Sequence, residues 1–162
     1  MHLIETIYRP LKYTCSDLIK ENESSEYGGY TFKLNRQTVI FRTAKITPIK
    51  TGQFVTVWKR NKKGITEPFH ADDGIGFYII CCQNKEHFGH FVFSKLTLEK
   101  YGIISTDKKE GKRGMRVYPP WDLASNKQAQ KTQQWQLTYF IDMSDLNSLN
   151  KEQIHTLYSS LS

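Results

Sequence analysis

The chain has 162 residues, of which 38% are hydrophobic and 13% aromatic, and its formal net charge is +7. This length favours one domain over residues 1–162, and the apolar content excludes a disordered chain. No apolar run is long enough to span a membrane, and Glu5 interrupts the start too early for a secretory signal. Three cysteines without a C-x-x-C pair fit a reducing compartment, so we expect a cytoplasmic protein with no membrane partner.

The first predicted elements are two helical pieces that run to about Glu23 and are separated by Pro10. Apolar residues recur there at helical spacing, with Leu3, Ile7 and Cys15 on the apolar face. This segment is the longest helical pattern in the first half of the chain.

Strands and helices alternate over the rest of the sequence. Runs rich in β-branched, aromatic or alternating residues predict strands at 30–34, 39–43, 53–60, 77–82, 90–94, 115–118 and 137–141. Helical spacing and capping residues predict helices at 96–101, 125–134 and 147–161. This mixture predicts an α/β or α+β fold: one domain with a central mixed β-sheet flanked by helices.

Positive charge is concentrated in two segments. Residues 32–66 carry nine basic and no acidic side chains, and residues 112–141 carry five basic and one acidic. The segment between them has more acidic than basic residues. If the two basic segments meet in space they form an electropositive surface; the alternative is a solvated rim.

Cations and aromatic rings are interleaved in both segments, which is typical of sites that bind phosphate and stack bases. For the tryptophans, packing in the core is the alternative. The predicted nucleic-acid- or anion-binding residues are Arg42, Lys45, Lys50, Lys59, Arg60, Lys112, Arg113, Arg116, Tyr118, Trp121, Lys127, Lys131 and Trp135.

An incomplete nuclease pattern gives the candidate catalytic residues. Asp72 or Asp73 before one predicted strand and Lys95 after the next match two positions of a PD-(D/E)XK site, in which carboxylates hold Mg²⁺ and lysine positions water. Phe93 occupies the acid position and cannot ligate a cation. The alternative is a loop turn with a solvated lysine, so we favour a protein without catalysis, and Mg²⁺ enters only under the nuclease interpretation.

No metal site or other cofactor is predicted. His87-x-x-His90, with His70 upstream, has a spacing seen among metal ligands, but histidines in exposed turns are common and spacing alone is weak evidence. No P-loop, G-x-G-x-x-G or G-x-S-x-G motif occurs in the sequence.

Four strings resemble the MepB family, small bacterial proteins named from a staphylococcal multidrug-efflux gene cluster. They are FRTAKITPIKTGQFVTVWKR at 41–60, GHFVFSK at 89–95, GKRGMRVYPPWD at 111–122 and QAQKTQQWQ at 128–136. The resemblance implies a restriction-endonuclease-like sheet and gene neighbours that encode an efflux pump and a repressor. It carries over no catalytic residue.

Together these observations predict a nucleic-acid- or nucleotide-binding protein with a basic cleft on a degenerate nuclease-like fold. The alternatives are a divalent-metal-dependent nuclease and an interaction partner of the proteins encoded in the efflux operon. The decisive observation is whether residues 33–63 and 112–135 line one concave surface.

Overall fold

The computed structural model describes residues 2–23 and 25–161. Its strands are β1 Cys15–Lys20, β2 Tyr30–Leu34, β3 Gln37–Thr43, β4 Lys45–Ile46, β5 Gln53–Thr56, β6 Trp58–Arg60, β7 Thr66–Pro68, β8 Ile75–Gln83, β9 Phe88–Ser94, β10 Gly114–Val117 and β11 Phe140–Asp142. Its α-helices are α1 Lys95–Lys100, α2 Lys127–Leu137 and α3 Lys151–Leu157. A π-helix spans Ile4–Tyr8, and 3₁₀ turns lie at Ser25–Tyr27, Leu146–Ser148 and Ser159–Leu161. Within those described ranges, no helix has the length and apolarity needed to cross a membrane.

A six-stranded sheet in the order β1-β2-β3-β8-β9-β11 forms the centre of the molecule. Strands β3 and β8 pair in parallel and the other neighbours pair antiparallel, so the sheet is mixed. The connection from β3 to β8 holds β4 to β7, which contribute to a three-stranded sheet β10-β5-β4 and a hairpin β6-β7. The predicted class, one α+β domain with a central mixed sheet, is confirmed.

The central strands are buried on both faces, which explains why β8 shows no alternation of polar and apolar residues. One face, with Ile40, Tyr78 and Phe93, packs towards β5 and β10. The other face, with Phe77 and Ile79, packs towards the π-helix and α3. The small sheet β10-β5-β4 is therefore held against the core by a continuous apolar layer.

The two terminal segments meet on the second face through a buried polar cluster. The hydroxyl groups of Tyr8 and Tyr158 are 3.2 Å apart, and the Tyr158 hydroxyl is 3.1 Å from Nε2 of His90. Burial lowers the pKa of His90 to about 3, so this imidazole is neutral and can share a hydrogen bond without an ionic cost. The cluster fastens the π-helix and α3 to β9.

The start of the chain differs most from prediction. The helical pattern ends in the π-helix, and Cys15–Lys20 form an edge strand that pairs antiparallel with β2, with Cys15 opposite Leu34. Lys12 has φ +63°, which turns the chain away from helical geometry. Pairing with β2 outweighs the local spacing, because the open edge of β2 offers backbone partners on both sides of an irregularity between Ser16 and Ile19.

Smaller differences concern element ends. The predicted strand 53–60 is interrupted at Val57, whose N–H donates to the Arg113 carbonyl, and so becomes β5 and β6. Asn126, not Ser125, caps α2, because its Oδ1 accepts the Ala129 N–H at 2.8 Å. Helix α2 continues through Leu137, which shortens the last strand, and the predicted terminal helix is divided into α3 and two 3₁₀ turns.

Candidate nucleic-acid interface

The two basic segments are joined in the small sheet. Strand β10 pairs antiparallel with β5, which places Arg116 opposite Phe54, and β4 pairs with the other side of β5, which places Lys45 opposite Phe54. Paired residues in antiparallel strands have their side chains on the same face. Parts of residues 33–63 and 112–135 therefore share one surface, the arrangement that the charge pattern left open.

This surface continues into a pocket of about 440 Å³ that we call the acid-free cleft. Among the described residues that line it there is no carboxylate; they are Ile49, Lys50, Thr51, Arg116, Tyr118, Ser125, Asn126, Gln128, Ala129 and Thr132. The first turn of α2 also lacks an acidic side chain. A helix N-terminus presents unsatisfied N–H groups and a positive partial charge, so it adds to the field of Lys50 and Arg116.

Arg116 fixes one wall of the acid-free cleft. Its Nη2 donates to Thr47 Oγ1 at 2.8 Å and its Nη1 donates to the Thr51 carbonyl at 3.3 Å. Both acceptors are neutral, so these bonds orient the guanidinium without cancelling its charge. The same bonds hold the loop between β4 and β5 against β10.

Gly52 allows that loop to close. Its φ is +84°, and a Cβ atom there would lie 2.7 Å from the Tyr118 ring, a separation that packed atoms do not reach. Only glycine combines this conformation with such close approach. The Tyr118 ring therefore packs directly against the loop. The backbone N–H of Tyr118 donates to Gln136 Oε1 at 2.8 Å.

Three other cations of the first basic segment, Arg42, Lys59 and Arg60, lie in what we call the ion-paired region. Arg42 is 1% exposed; its Nη2 is 2.7 Å from Glu21 Oε2 and its Nη1 donates to the Phe41 carbonyl at 2.9 Å. Burial lowers the pKa of the guanidinium, and the Glu21 carboxylate opposes that shift. The phosphate contact predicted for Arg42 is therefore corrected to a structural ion pair.

Lys59 and Arg60 are paired as well. Lys59 binds the Asp73 carboxylate and is 3.5 Å from Glu67, and Arg60 binds Glu23. Desolvation lowers the pKa of Lys59, but the two carboxylates outweigh it and the net pKa is raised. Carboxylates brought by β7 and by the segment after β1 thus neutralise the cations that the sequence shows as unopposed.

The other predicted cations divide in the same way. Lys45 pairs with Glu26 at 3.1 Å and Arg113 with Glu110 at 3.4 Å. In the part of the chain that the structure describes, the exposed cations without an ion pair include Lys50, Lys112, Lys127 and Lys131. Lys127 opens α2 between two lining residues of the acid-free cleft and is exposed beside the cleft without lining it.

Two of the three predicted stacking rings are engaged inside the protein. Trp135 stacks on Tyr101 with ring centroids 3.9 Å apart, and Trp121 stacks on His87 at 5.0 Å. Both pack against the core and neither lines the acid-free cleft. Only Tyr118 lies in the cleft, so packing is the role that the structure supports for Trp121 and Trp135.

The incomplete nuclease pattern is not assembled as the sequence spacing suggests. Asp73 accepts from Lys59 and from the backbone N–H of His70, and Asp72 lies in the same pocket. Lys95 begins α1, does not line that pocket, and has no ion pair within residues 2–23 and 25–161. Phe93 is fully buried and stacks on Phe91, so the missing acid position belongs to the core.

One group in that pocket has metal-like spacing that the sequence does not reveal. Ligand atoms of His70, Asp72 and Asp107 lie within 4.8 Å of one another. However, Nδ1 of His70 accepts the Asp72 N–H at 3.0 Å, so the neutral ring carries its proton on Nε2. In this tautomer neither nitrogen has a free lone pair for an ion. His87 and His90, whose HxxH spacing the sequence shows, are separated, because His87 stacks on Trp121 and His90 is buried against Tyr158.

Phe54 belongs to this surface but is absent from the predicted list of binding residues. It is partly exposed and sits between Lys45 and Arg116 across three strands. The alternation of 53–60 places it on one face of a strand, but only the pairing of strands distant in sequence identifies its neighbours. The cross-strand pattern, not the local sequence, carries the signal.

Comparisons with known proteins agree with the resemblance seen in the sequence. A family model described as MepB-like matches residues 21–142. A solved structure titled "Crystal Structure of MepB" is 34% identical, has a TM-score of 0.78, and covers 81% of this chain and 88% of that chain. A search of curated proteins finds no match.

Proposed function

The chain belongs to the MepB-like family, and we propose that it binds a nucleic acid or a nucleotide through phosphate contacts in the acid-free cleft. One observation carries the proposal: Lys50, Arg116 and the N-terminus of α2 surround a pocket whose described lining residues include no carboxylate. Cations without a carboxylate partner attract anions over a long range, and helix N-termini bind phosphate groups.

The acid-free cleft also offers hydrogen-bonding groups that suit phosphate and base edges. Thr51, Ser125 and Thr132 supply hydroxyl groups, and Asn126 and Gln128 supply amides. Arg116 is already oriented by two neutral acceptors, so little side-chain freedom is lost when it contacts an anion. These groups support binding, and the described lining residues include no carboxylate, histidine or cysteine.

We propose binding without cleavage. Asp73 is held by Lys59, and burial raises the pKa of the Cys81 and Cys82 thiols, which disfavours the reactive thiolate. Divalent-metal-dependent cleavage is the alternative. Incubation of the protein with labelled DNA or RNA and Mg²⁺ or Mn²⁺ tests it. Cleavage that disappears in Lys95→Ala would establish the nuclease and overturn this part of the proposal.

Fluorescence anisotropy with single-stranded DNA, RNA and a labelled mononucleotide tests binding. The logarithm of the association constant should fall linearly with the logarithm of salt concentration, with a slope of about −0.7 for each phosphate contact on a single strand. The double variant Lys50→Gln, Lys127→Gln should weaken binding roughly tenfold or more at low salt and reduce the slope by about 1.4.

The matched control is Lys62→Gln, Lys63→Gln, which removes two exposed lysines from the turn between β6 and β7. Both double variants lower the net charge equally. Equal loss in both would mean that total charge, not the acid-free cleft, drives association. No binding of any probe by the unmodified protein at low salt would refute the proposed function.

A further inference from the structure

A row of three side chains crosses the small sheet beside the acid-free cleft. Arg116 on β10, Phe54 on β5 and Lys45 on β4 are directly opposite one another in the strand register. The alternating burial of β5 and β10 puts their buried members, such as Val55 and Val117, on the core side. The row therefore lies on the outer face, with one aromatic ring between two cations.

The structure keeps the Phe54 ring in place and partly open. A Cβ atom at Gly114 would lie 2.5 Å from the tip of the ring, so the ring extends over a position where β10 has no side chain. Tyr27 contacts Phe54 edge-on with centroids 6.5 Å apart, and Lys45 Nζ lies 4.9 Å from the centre of the Tyr27 ring. Two aromatic rings and two cations thus form one continuous surface.

We infer that this outer face binds single-stranded nucleic acid, with an unpaired base stacked on Phe54 and the flanking phosphates reaching Arg116 and the acid-free cleft. The inference rests on the proposed function and narrows its ligand. A sheet face with an exposed ring between cations is suited to unpaired bases, because the aromatic face of a base is accessible only when it is not stacked inside a duplex. Trp121 and Trp135, whose rings stack inside the protein, are not needed for this contact.

The side chains of the row differ in what they can contribute. Lys45 pairs with Glu26 at 3.1 Å, and both groups are exposed, so this pair is easily exchanged for a phosphate. Among the described residues Arg116 has no carboxylate partner, and it retains N–H groups beyond its two bonds to the loop. Phe54 has no polar group, and stacking is the contact left to its exposed surface.

The test combines a variant with a modified probe. Phe54→Leu keeps an apolar side chain and removes the aromatic face, so affinity for single-stranded DNA should fall roughly fivefold to a hundredfold. An abasic strand of the same length retains every phosphate and has no base to stack. The unmodified protein and Phe54→Leu should bind the abasic strand equally, which damage to the fold would not produce.

Phe88→Leu is the control, because Phe88 is also partly exposed but lies in β9 at a different pocket, where it contacts His2. Phe88→Leu should leave the affinities for the normal strand and the abasic strand unchanged. Equal losses on the normal and abasic strands in Phe54→Leu would overturn stacking, as would tighter binding of duplex than of single strand. If single strands bind with a salt slope and Phe54→Leu has no effect, the inference fails while the proposed function stands. If no strand binds but the mononucleotide does, the inference fails while the proposed function stands. If neither a strand nor the mononucleotide binds, both fail.

Discussion

The acid-free cleft and the ion-paired region both contain cations from the basic segments of the chain, yet they differ in what surrounds those cations. Lys50 and Arg116 face hydroxyl, amide and carbonyl groups, whereas Arg42, Lys59 and Arg60 each contact a carboxylate. The first arrangement leaves charge available to a partner, and the second uses charge to hold strands together. The density of basic residues in a sequence does not distinguish the two.

Arg42 should give the largest effect if this distinction is correct. Arg42→Met leaves the Glu21 carboxylate without its buried partner and should lower the free energy of unfolding by about 3–5 kcal/mol, measured by urea denaturation. Adding Glu21→Leu removes the unpaired charge and should recover part of the lost free energy of unfolding. Normal stability combined with lost nucleic-acid affinity would make Arg42 a ligand contact and break the comparison.

Gly52→Ala should have an intermediate effect, because it strains the loop that Arg116 holds. The positive φ and the contact with Tyr118 predict a loss of about 1–3 kcal/mol in unfolding free energy, with weaker binding of single-stranded DNA. Gly74→Ala is the control: its φ is +75°, but a Cβ atom there would have no neighbour within 4 Å. It should cost stability without changing affinity. Equal losses of affinity in Gly52→Ala and Gly74→Ala would show that the geometry of the loop at Gly52 does not control binding.

Glu23→Gln should give the smallest effect and sharpen the comparison from the other side. Glu23 and Arg60 form an exposed pair, so stability should change by less than about 1 kcal/mol. The freed Arg60 should raise affinity for single-stranded DNA at low salt by roughly a factor of two to five. Glu5→Gln, which frees Arg9 from a similar exposed pair, provides the control for net charge. Equal gains of affinity in Glu23→Gln and Glu5→Gln would show that the position of the freed arginine does not matter.

Much of the fold follows from the sequence because its central strands are strongly apolar. The hairpin β2-β3 and the buried strand β8 are recognisable from β-branched and aromatic runs bounded by turns. The strand β1 is not recognisable, because its apolar residues have helical spacing and its strand conformation depends on pairing with β2. Local sequence patterns predict elements that are fully buried or are stabilised by local interactions, and they fail at an edge strand.

The same missed strand explains why the candidate site is only partly predictable. Glu21 and Glu23 follow β1 and reach Arg42 and Arg60, so a helix in place of β1 hides the partners of both arginines. The acid-free cleft also depends on β5 pairing with β10 across about sixty residues of sequence. Residue types identify the candidate cations, but only strand pairing shows which of them remain free.

The buried contact between Tyr8, Tyr158 and His90 has a consequence for descent within the family. The family model matches residues 21–142, so Tyr8 and Tyr158 lie on opposite sides of the matched part, whereas His90 lies within it. The two segments cover one sheet face together: without Tyr158 the buried Tyr8 hydroxyl loses its partner, and without Tyr8 the Tyr158 hydroxyl keeps only His90. We expect the residues at these two positions to vary together among relatives.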